Sequence, residues 1–171
     1  MGIRKMRTKD LVLVSMILAM QIVMTRFLSI QTPLVRIGFS FIAVALNAAL
    51  YGPWVAGITG ILADLIGMML FPAGAYFPGF TLTAFLSGFI YGLFLYRDKI
   101  ELKHVIAGTI LVSLICNLGL NTLWLSMIQG KAWIVLLPPR VMKEVVLIIV
   151  KIITINLIIP RAVTEIRKRN Y

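Results

Sequence analysis

A stretch rich in proline and glycine, FPAGAYFPG from Phe71 to Gly79, interrupts the chain between two apolar runs of membrane length. Its two prolines and two glycines prevent a continuous helix, because proline removes a backbone donor and clashes with the preceding turn. Backbone that is neither helix nor closed barrel is not stable against lipid, since its amides and carbonyls would lack hydrogen bonds. The sequence therefore predicts that the chain turns here, at a membrane surface or over a protein cavity. The aromatic residues Tyr76 and Phe77 suit either place.

The composition is that of a membrane protein. Hydrophobic residues make up 60% of the 171 residues, and the mean hydropathy is +0.99, values far outside the range of soluble domains. The formal net charge of +11 gathers at the ends of apolar segments, so it indicates membrane orientation and not nucleic-acid binding. We predict an all-α membrane protein that forms one domain over residues 1–171, contacts membrane lipid and binds no nucleic acid.

Six apolar segments are predicted to cross the membrane as one helical bundle. A bilayer core needs roughly 20 helical residues, so the second and third segments are short. The Gly52-Pro53 pair between them gives a tight turn. The six predicted spans are about Leu11 to Leu28, Gly38 to Tyr51, Trp54 to Leu70, Phe80 to Tyr96, Val105 to Ile128 and Pro138 to Ile159.

The basic residues predict the orientation of these spans. Eleven of the 17 lysines and arginines lie before the first span, between the fourth and fifth, or after the sixth. These three segments share one side of a six-span topology, and the positive-inside rule makes that side cytoplasmic. Both termini are therefore predicted to be cytoplasmic.

Five of the other six cations fall at or near the predicted external ends of helices: Arg26, Arg36, Lys131, Arg140 and Lys143. A cation that enters the membrane costs free energy unless it is paired, so a set of them from three chain regions predicts an external pocket for an anion. The planar fork of arginine suits a carboxylate. For any single member, contact with lipid phosphates is an equally good interpretation.

Asp64 is the only acidic residue within the third predicted span. An acid inside a membrane helix is a candidate functional residue, and the alternative is a structural hydrogen bond or ion pair to another helix. Gly57, Gly60 and Gly67 surround it at helical spacing, which permits close helix packing and leaves the carboxylate inside the bundle.

The sixth span carries Glu144 four residues after Arg140, on the same helical face. One interpretation is an ion pair within the helix that lets Arg140 enter the membrane. The alternative is that Glu144 accepts hydrogen bonds from a ligand or orients Arg140. Lys151 lies deeper, about 12 Å of helix beyond Lys143, and it could face inward or toward a partner subunit.

In the fifth span, Asn117, Asn121 and Trp124 fall at i, i+4 and i+7, on one face of a helix. Two amides supply donors and acceptors, and an indole supplies a stacking plane, which suits a flat polar heterocycle. Polar contacts between helices are the alternative interpretation.

Several chemistries are missing from the sequence. It has no GxxxxGK[ST] stretch for ATP and no HExxH or GxSxG motif. Its single histidine, His104, lies in a charged loop, and its single cysteine, Cys116, lies in an apolar run. We therefore predict no metal site, no cofactor and no catalytic residue.

Three stretches carry a resemblance that covers nearly the whole chain, from about Lys9 to Ile159. They resemble the folate-specific substrate-binding subunits of energy-coupling factor (ECF) vitamin transporters, and three separate long matches are more specific than a short motif. The stretches are FPAGAYFPGFTLTAFLSGFIYG (Phe71 to Gly92), NLGLNTLWL (Asn117 to Leu125) and LLPPRVMKE (Leu136 to Glu144).

The resemblance implies a six-helix ECF substrate-binding fold in a prokaryotic plasma membrane. Folate or a reduced folate would bind at an outward-facing pocket, under lids formed by the segments 29–37 and 72–79. Transport would need a transmembrane coupling subunit and two ATP-hydrolysing subunits, and the chain would topple in the membrane to deliver the ligand. The family has an Ala-xxx-Ala pattern on the first helix that contacts the coupling subunit, and Ser15 and Ala19 occupy its two positions here.

The resemblance also implies how the pocket residues divide the ligand. Tyr76 and Phe77 join the ligand-binding set, with Glu144 as an acceptor or an orienting residue. The pterin or aminobenzoyl part would meet Asn117, Asn121, Trp124 and Asp64. The carboxylates would meet Arg26, Arg36, Arg140 or Lys143.

Three other functions remain open at this point. The first is an ECF subunit of the same architecture for another vitamin. The second is a membrane-embedded enzyme that uses Asp64 or Glu144 as an acid or base. The third is an assembly factor without a ligand, in which the external cations contact lipid.

Overall fold

The computed structural model describes residues 7–31, 36–72 and 76–170 of the chain. In order, these form α1 (Thr8–Arg26), a two-stranded hairpin of β1 (Ser29–Gln31) and β2 (Arg36–Gly38), α2 (Ser40–Leu70) and α3 (Pro78–Leu95). There follow α4 (Leu102–Leu111), a π-helical segment (Val112–Leu120), α5 (Asn121–Gln129) and α6 (Trp133–Asn170). The prediction of an all-α membrane protein is confirmed, apart from the hairpin.

Five helical stretches among the described residues are long and apolar enough to cross a membrane. The sequence predicted six, and that count is not confirmed. The difference arises because the second and third predicted spans lie within the single element α2, while α4, the π-helical segment and α5 together make the stretch Leu102–Gln129.

The element α2 reverses direction at Gly52, as the Gly52-Pro53 turn predicted. Gly52 has φ 85° and ψ −178° inside an otherwise helical run, a conformation that only glycine adopts readily. Asn47 Nδ2 donates a hydrogen bond to Thr59 Oγ1, although residues twelve apart on a straight helix would be about 18 Å apart. The two arms of α2, residues 40–51 and 53–70, therefore fold back on each other.

Small residues bring the second arm of α2 into close contact with α3. A Cβ on Gly60 would lie 2.6 Å from the carbonyl oxygen of Ala84, and one on Gly57 would lie 2.7 Å from Cδ2 of Phe85. The predicted role of this glycine stripe in helix packing is confirmed at these two positions. The third glycine, Gly67, faces the side chain of Arg26 instead.

The last helix contains the predicted span Pro138 to Ile159 and continues beyond it at both ends. α6 begins at Trp133 and continues through Pro160 to Asn170, which makes 38 residues. Pro138 and Pro139 fall in its second turn, close to the helix start where few intrahelical bonds are lost. At 1.5 Å per residue α6 is about 57 Å long, so it extends well beyond a hydrocarbon core of about 30 Å.

The hairpin between α1 and α2 was not predicted as a strand pair. Ser29 pairs with Gly38, Ile30 with Ile37 and Gln31 with Arg36 in antiparallel register. Strands of three residues are too short to give a clear alternating pattern. The tip of this predicted lid, residues 32–35, and residues 73–75 of the other predicted lid lie outside the described residues.

Candidate functional site

A cavity of about 510 Å³ lies among α1, α2, α3, the π-helical segment, α5 and α6. This volume is within the range of sites that enclose small molecules, roughly 300–1,000 Å³. Most of the predicted ligand-binding residues line it, namely Arg26, Asp64, Tyr76, Phe77, Asn117, Asn121, Arg140, Lys143 and Glu144. The side chain of Arg36 lies outside the described part of the chain.

Arg26 is the last residue of α1 and lies across Gly67 at the end of α2. A Cβ on Gly67 would be 2.9 Å from Nε of Arg26 and 3.1 Å from Nη2, so the absence of a side chain makes room for the guanidinium. Nε is buried without a hydrogen-bond partner among the described residues. An arginine placed in this way leaves donors available to an anion in the cavity.

Asp64, on the second arm of α2, makes a hydrogen bond to α3. Its Oδ2 accepts from Thr81 Oγ1 at 2.7 Å, and Thr81 Oγ1 is in turn 3.2 Å from the hydroxyl of Tyr76. The structural hydrogen bond that the sequence allowed for Asp64 is therefore present. Asp64 also lines the cavity, so the same contact orients a carboxylate beside the ligand space.

Phe77 and Trp124 form an aromatic wall at one side of the cavity. Their ring centroids are 5.5 Å apart, and Trp124 Nε1 donates to Thr83 Oγ1 of α3 at 3.0 Å. A Cβ on Gly79 would lie 2.5 Å from Cδ2 of Trp124, so only glycine allows this packing. Phe77 lines the cavity and Trp124, predicted as a ligand contact, does not; the indole contacts the Phe77 ring and so supports it.

Glu144 is the centre of a buried charged cluster on α6. Its Oε1 lies 2.5 Å from Lys151 Nζ and accepts from Asn117 Nδ2 at 2.8 Å, while its Oε2 lies 3.3 Å from Lys143 Nζ. Glu144 is 1% exposed and Lys151 is 6% exposed. Two cations and an amide thus compensate a carboxylate that burial would otherwise disfavour strongly.

Arg140 lies one turn before Glu144 and reaches a different helix. Its Nη1 donates to Thr122 Oγ1 of α5 at 3.0 Å. The sequence had allowed an ion pair between Arg140 and Glu144; among the described residues, Glu144 lies closest to the ammonium groups of Lys143 and Lys151. Arg140 therefore joins α6 to α5 at the cavity wall.

Sequence reasoning missed the role of Lys151, which it left between two positions. Lys151 follows Glu144 by seven residues, two turns of helix, so the spacing already placed both on one face. It also missed Thr81, Thr83 and Thr122, which hold Asp64, Trp124 and Arg140. No sequence signal separates these threonines from the others, because a single hydroxyl on a membrane helix has no diagnostic spacing.

The cavity carries an excess of positive charge. Of the described residues that line it, Arg26, Arg140, Lys143 and Lys151 are cations, and Asp64 and Glu144 are acids. The difference of two positive charges acts in a partly buried cavity, where electrostatic attraction is stronger than at a surface. The arrangement is suited to a ligand with two negative charges.

Comparison with known proteins gives a consistent result over most of the chain. The family model of the ECF transporter, substrate-specific component, matches residues 9–159. A folate transporter FolT of Clostridium novyi (strain NT) is 47% identical over 137 residues, which cover 80% of each chain. A folate transporter FolT of Leuconostoc mesenteroides subsp. mesenteroides is 34% identical over 149 residues, which cover 84% of this chain and 80% of that protein.

A solved structure has the same fold. The crystal structure of FolT bound with folic acid superposes with a TM-score of 0.81 at 40% sequence identity, and the match covers 86% of this chain and 89% of that one. The likeness therefore extends over most of the fold.

Proposed function

Because the chain belongs to the family of ECF transporter substrate-specific components, we propose that it binds folate in the cavity between its helices. The relatives named as folate transporters and the FolT structure with folic acid support this ligand. The chain is a multi-pass membrane component of a transporter and not an enzyme. Asp64 and Glu144 accordingly hold and orient other groups.

The observation that carries the proposal is the excess of two cations around the cavity. Folates end in a glutamate with two carboxylates, so the ligand charge balances the charge of the site. Arg26, with a buried Nε that lacks a partner among the described residues, is a carboxylate contact in this proposal. Arg140 and Lys143 are the others, and Arg36 remains a further candidate.

The pterin and aminobenzoyl parts of the ligand would meet the amide and aromatic residues of the cavity, together with Asp64. Asn117 and Asn121 offer amide groups there, and Phe77 and Tyr76 offer flat apolar surface. Trp124 keeps the Phe77 ring in place, and Asp64 is an acceptor for a ring amino group. Each part of a folate thus has chemically matching residues.

Other vitamins match the charge of the cavity less well. Thiamine is a cation, riboflavin is uncharged, and biotin has one carboxylate. Transferring a cation into a cavity that already has two excess positive charges is unfavourable. The same architecture with another ligand is therefore the second candidate function, and the charge of the lining disfavours it.

Thermal stability of the purified chain in detergent tests the ligand directly. Folate, 5-formyltetrahydrofolate, thiamine, riboflavin and biotin are added separately, and the melting temperature is compared with the ligand-free value. A ligand at a thousand times its Kd stabilises the folded state by about 4 kcal/mol. We expect a shift with the two folates alone. A shift with a different vitamin would reject folate, and no shift with any of them would reject the binding function.

For transport we propose a coupling subunit and two ATPase subunits as partners, since the sequence has no nucleotide-binding motif. Ser15 and Ala19 lie on the exposed face of α1, and the hydroxyl of Ser15 donates to the carbonyl of Leu11 at 2.9 Å. Because this hydroxyl is already hydrogen-bonded, Ser15 and Ala19 present small side chains without an unpaired donor, and such side chains suit close contact between helices. Toppling of the chain would then deliver the ligand.

The topology that fits this function has six crossings and two cytoplasmic termini. The reversal at Gly52 supports counting the two arms of α2 as separate crossings. The basic residues Arg161, Arg167 and Lys168 near the end of α6 support a cytoplasmic C-terminus. Labelling of single cysteines placed before α1 and after α6 in intact cells tests this orientation.

A further inference from the structure

A chain of hydrogen bonds runs from α6 to the cavity through Lys151, Glu144, Asn117 and Asn121. Glu144 Oε1 accepts from Lys151 Nζ at 2.5 Å and from Asn117 Nδ2 at 2.8 Å. Asn117 Oδ1 lies 3.5 Å from Asn121 Nδ2, a long hydrogen bond. Glu144 and Lys151 are buried, so bulk water does not compete for the bonds at their end of the chain.

The chemistry of the groups dictates the direction of each bond. An ammonium group only donates and an ionised carboxylate only accepts. Asn117 must therefore turn its Nδ2 toward Glu144, which leaves its Oδ1 for Asn121. Asn121 uses one N–H on that oxygen, and its own Oδ1 has no hydrogen-bond partner among the described residues.

Building on the proposed function, we infer that Lys151 and Glu144 are positioning residues that fix the polarity of the two amides. As a result, the cavity presents the Oδ1 acceptor of Asn121 to the ligand. The matching ligand edge carries N–H donors, as the 2-amino group and N3–H of a pterin ring do. A ring without such a donor leaves the acceptor unpaired, which costs affinity.

Either charge alone is sufficient to hold this polarity. In Glu144→Gln, Lys151 still requires an oxygen at the same place, so the new amide oxygen stays toward Lys151 and Asn117. In Lys151→Met, the carboxylate of Glu144 still accepts from Asn117, and Lys143 remains on its other oxygen at 3.3 Å. Only the double variant Glu144→Gln, Lys151→Met removes both groups that direct an oxygen toward Asn117, and Lys143, 3.3 Å from Oε2, then draws the new amide oxygen to its own side.

The measurement is the ratio of the dissociation constants of folic acid and its 2-desamino analogue, in which hydrogen replaces the 2-amino group. Equilibrium binding is measured on the full chain in detergent. The unmodified chain should bind the analogue at least about tenfold more weakly. In each single variant, the ratio of the two dissociation constants should stay within about threefold of the ratio for the unmodified chain. The double variant should lose the preference for folic acid over the analogue.

A purely structural role for the ion pair predicts a different order. Lys151→Met would then disturb binding most, because it leaves a buried carboxylate without its closest cation, and the double variant would be milder. Ser113→Ala is the matched control, since it removes a neutral hydroxyl that contacts both Lys151 Nζ, at 3.4 Å, and Glu144, while both charges stay in place. This control should keep the full ratio.

Asn117→Leu keeps the test decisive even if the double variant does not fold. It breaks the chain of bonds before Asn121 while both charges stay in place, and it should lose the discrimination in the same way. Full discrimination in Asn117→Leu or in the double variant would overturn the inference, and so would its loss in either single variant. If the unmodified chain did not bind folic acid, the proposed function would fall and this inference with it.

Discussion

Gly67 of α2 lies directly against the guanidinium of Arg26, at a distance that leaves no space for a methyl group. A Cβ there would stand 2.9 Å from Nε, below any normal contact. The position of the cavity cation at the end of α1 therefore depends on a residue that has no side chain.

Gly67→Ala should displace Arg26 and weaken folate binding about tenfold, equivalent to about 1.4 kcal/mol. Isothermal titration of the purified chain measures the change. Gly108→Ala is the control, because its Cβ would meet only the side chain of Phe94 at 3.2 Å and it does not line the cavity. Equal affinity in Gly67→Ala and the unmodified chain would contradict a role for Arg26 in ligand binding.

Arg140→Ala and Asn121→Ala should each weaken folate binding at least tenfold, about 1.4 kcal/mol. The first removes a cation from the cavity wall, and the second removes an amide from the side proposed for the ring. Arg140→Lys keeps the charge but loses the planar fork, so its folate affinity should lie between those of the unmodified chain and Arg140→Ala. Unchanged affinity in both alanine variants would remove these residues from the site.

Thr83→Val should lower the melting temperature of the ligand-free chain. It removes the acceptor of the Trp124 indole, which is 3.0 Å away, and an unpaired buried donor costs about 1–3 kcal/mol. Thr164→Val is the matched control, since Thr164 is exposed and donates only to Pro160 of its own helix. A similar melting temperature for both variants would show that the hydrogen bond does not hold the aromatic wall.

Gly52→Ala should destabilise the fold by about 1–3 kcal/mol, because φ 85° with ψ −178° is a strained conformation for any residue with a side chain. Thermal unfolding monitored by circular dichroism measures the loss. Gly108→Ala again serves for comparison. A Gly52→Ala chain as stable as the control would contradict the sharp reversal between the arms of α2.

Ala19→Leu should abolish folate uptake by cells that contain the complete transporter, while folate binding to the isolated chain stays the same. The larger side chain projects from the exposed face of α1 and would prevent close contact with a coupling subunit. Ser15→Ala matches the family pattern and should transport normally. Normal uptake by Ala19→Leu would place the partner contact elsewhere.

Local chemistry explains what the sequence could predict. The tight turn at Gly52-Pro53 and the shared face of Asn117 and Asn121 follow from neighbouring residues alone, and both are present in the structure. The external cations were expected to converge because an unpaired cation in a membrane costs free energy, so a set of them indicates an anionic ligand. Arg26, Arg140 and Lys143 do line one cavity.

Contacts between distant helices explain what the sequence could not predict. The partners of Arg140 and Trp124 are threonines on other helices, at positions that depend on helix rotation. The sequence predicted six spans because it counted the two arms of α2, which meet at Gly52, as separate crossings, whereas α2 is one of the five long apolar helical stretches. The full length of α6 did not follow from its apolar span, because prolines near a helix start are tolerated and because the helix continues through Pro160.

The π-helical segment Val112–Leu120 divides one membrane-crossing stretch into two rotational registers. Removing a single residue within this segment would rotate α5 by about 100° relative to α4. Asn121 and the residues beside it would then face away from the cavity. When this stretch is aligned with a relative or grafted, Leu102–Leu111 and Asn121–Gln129 must therefore be treated as two helices, each with its own rotational register. A one-residue gap between them would change ligand recognition more than most substitutions.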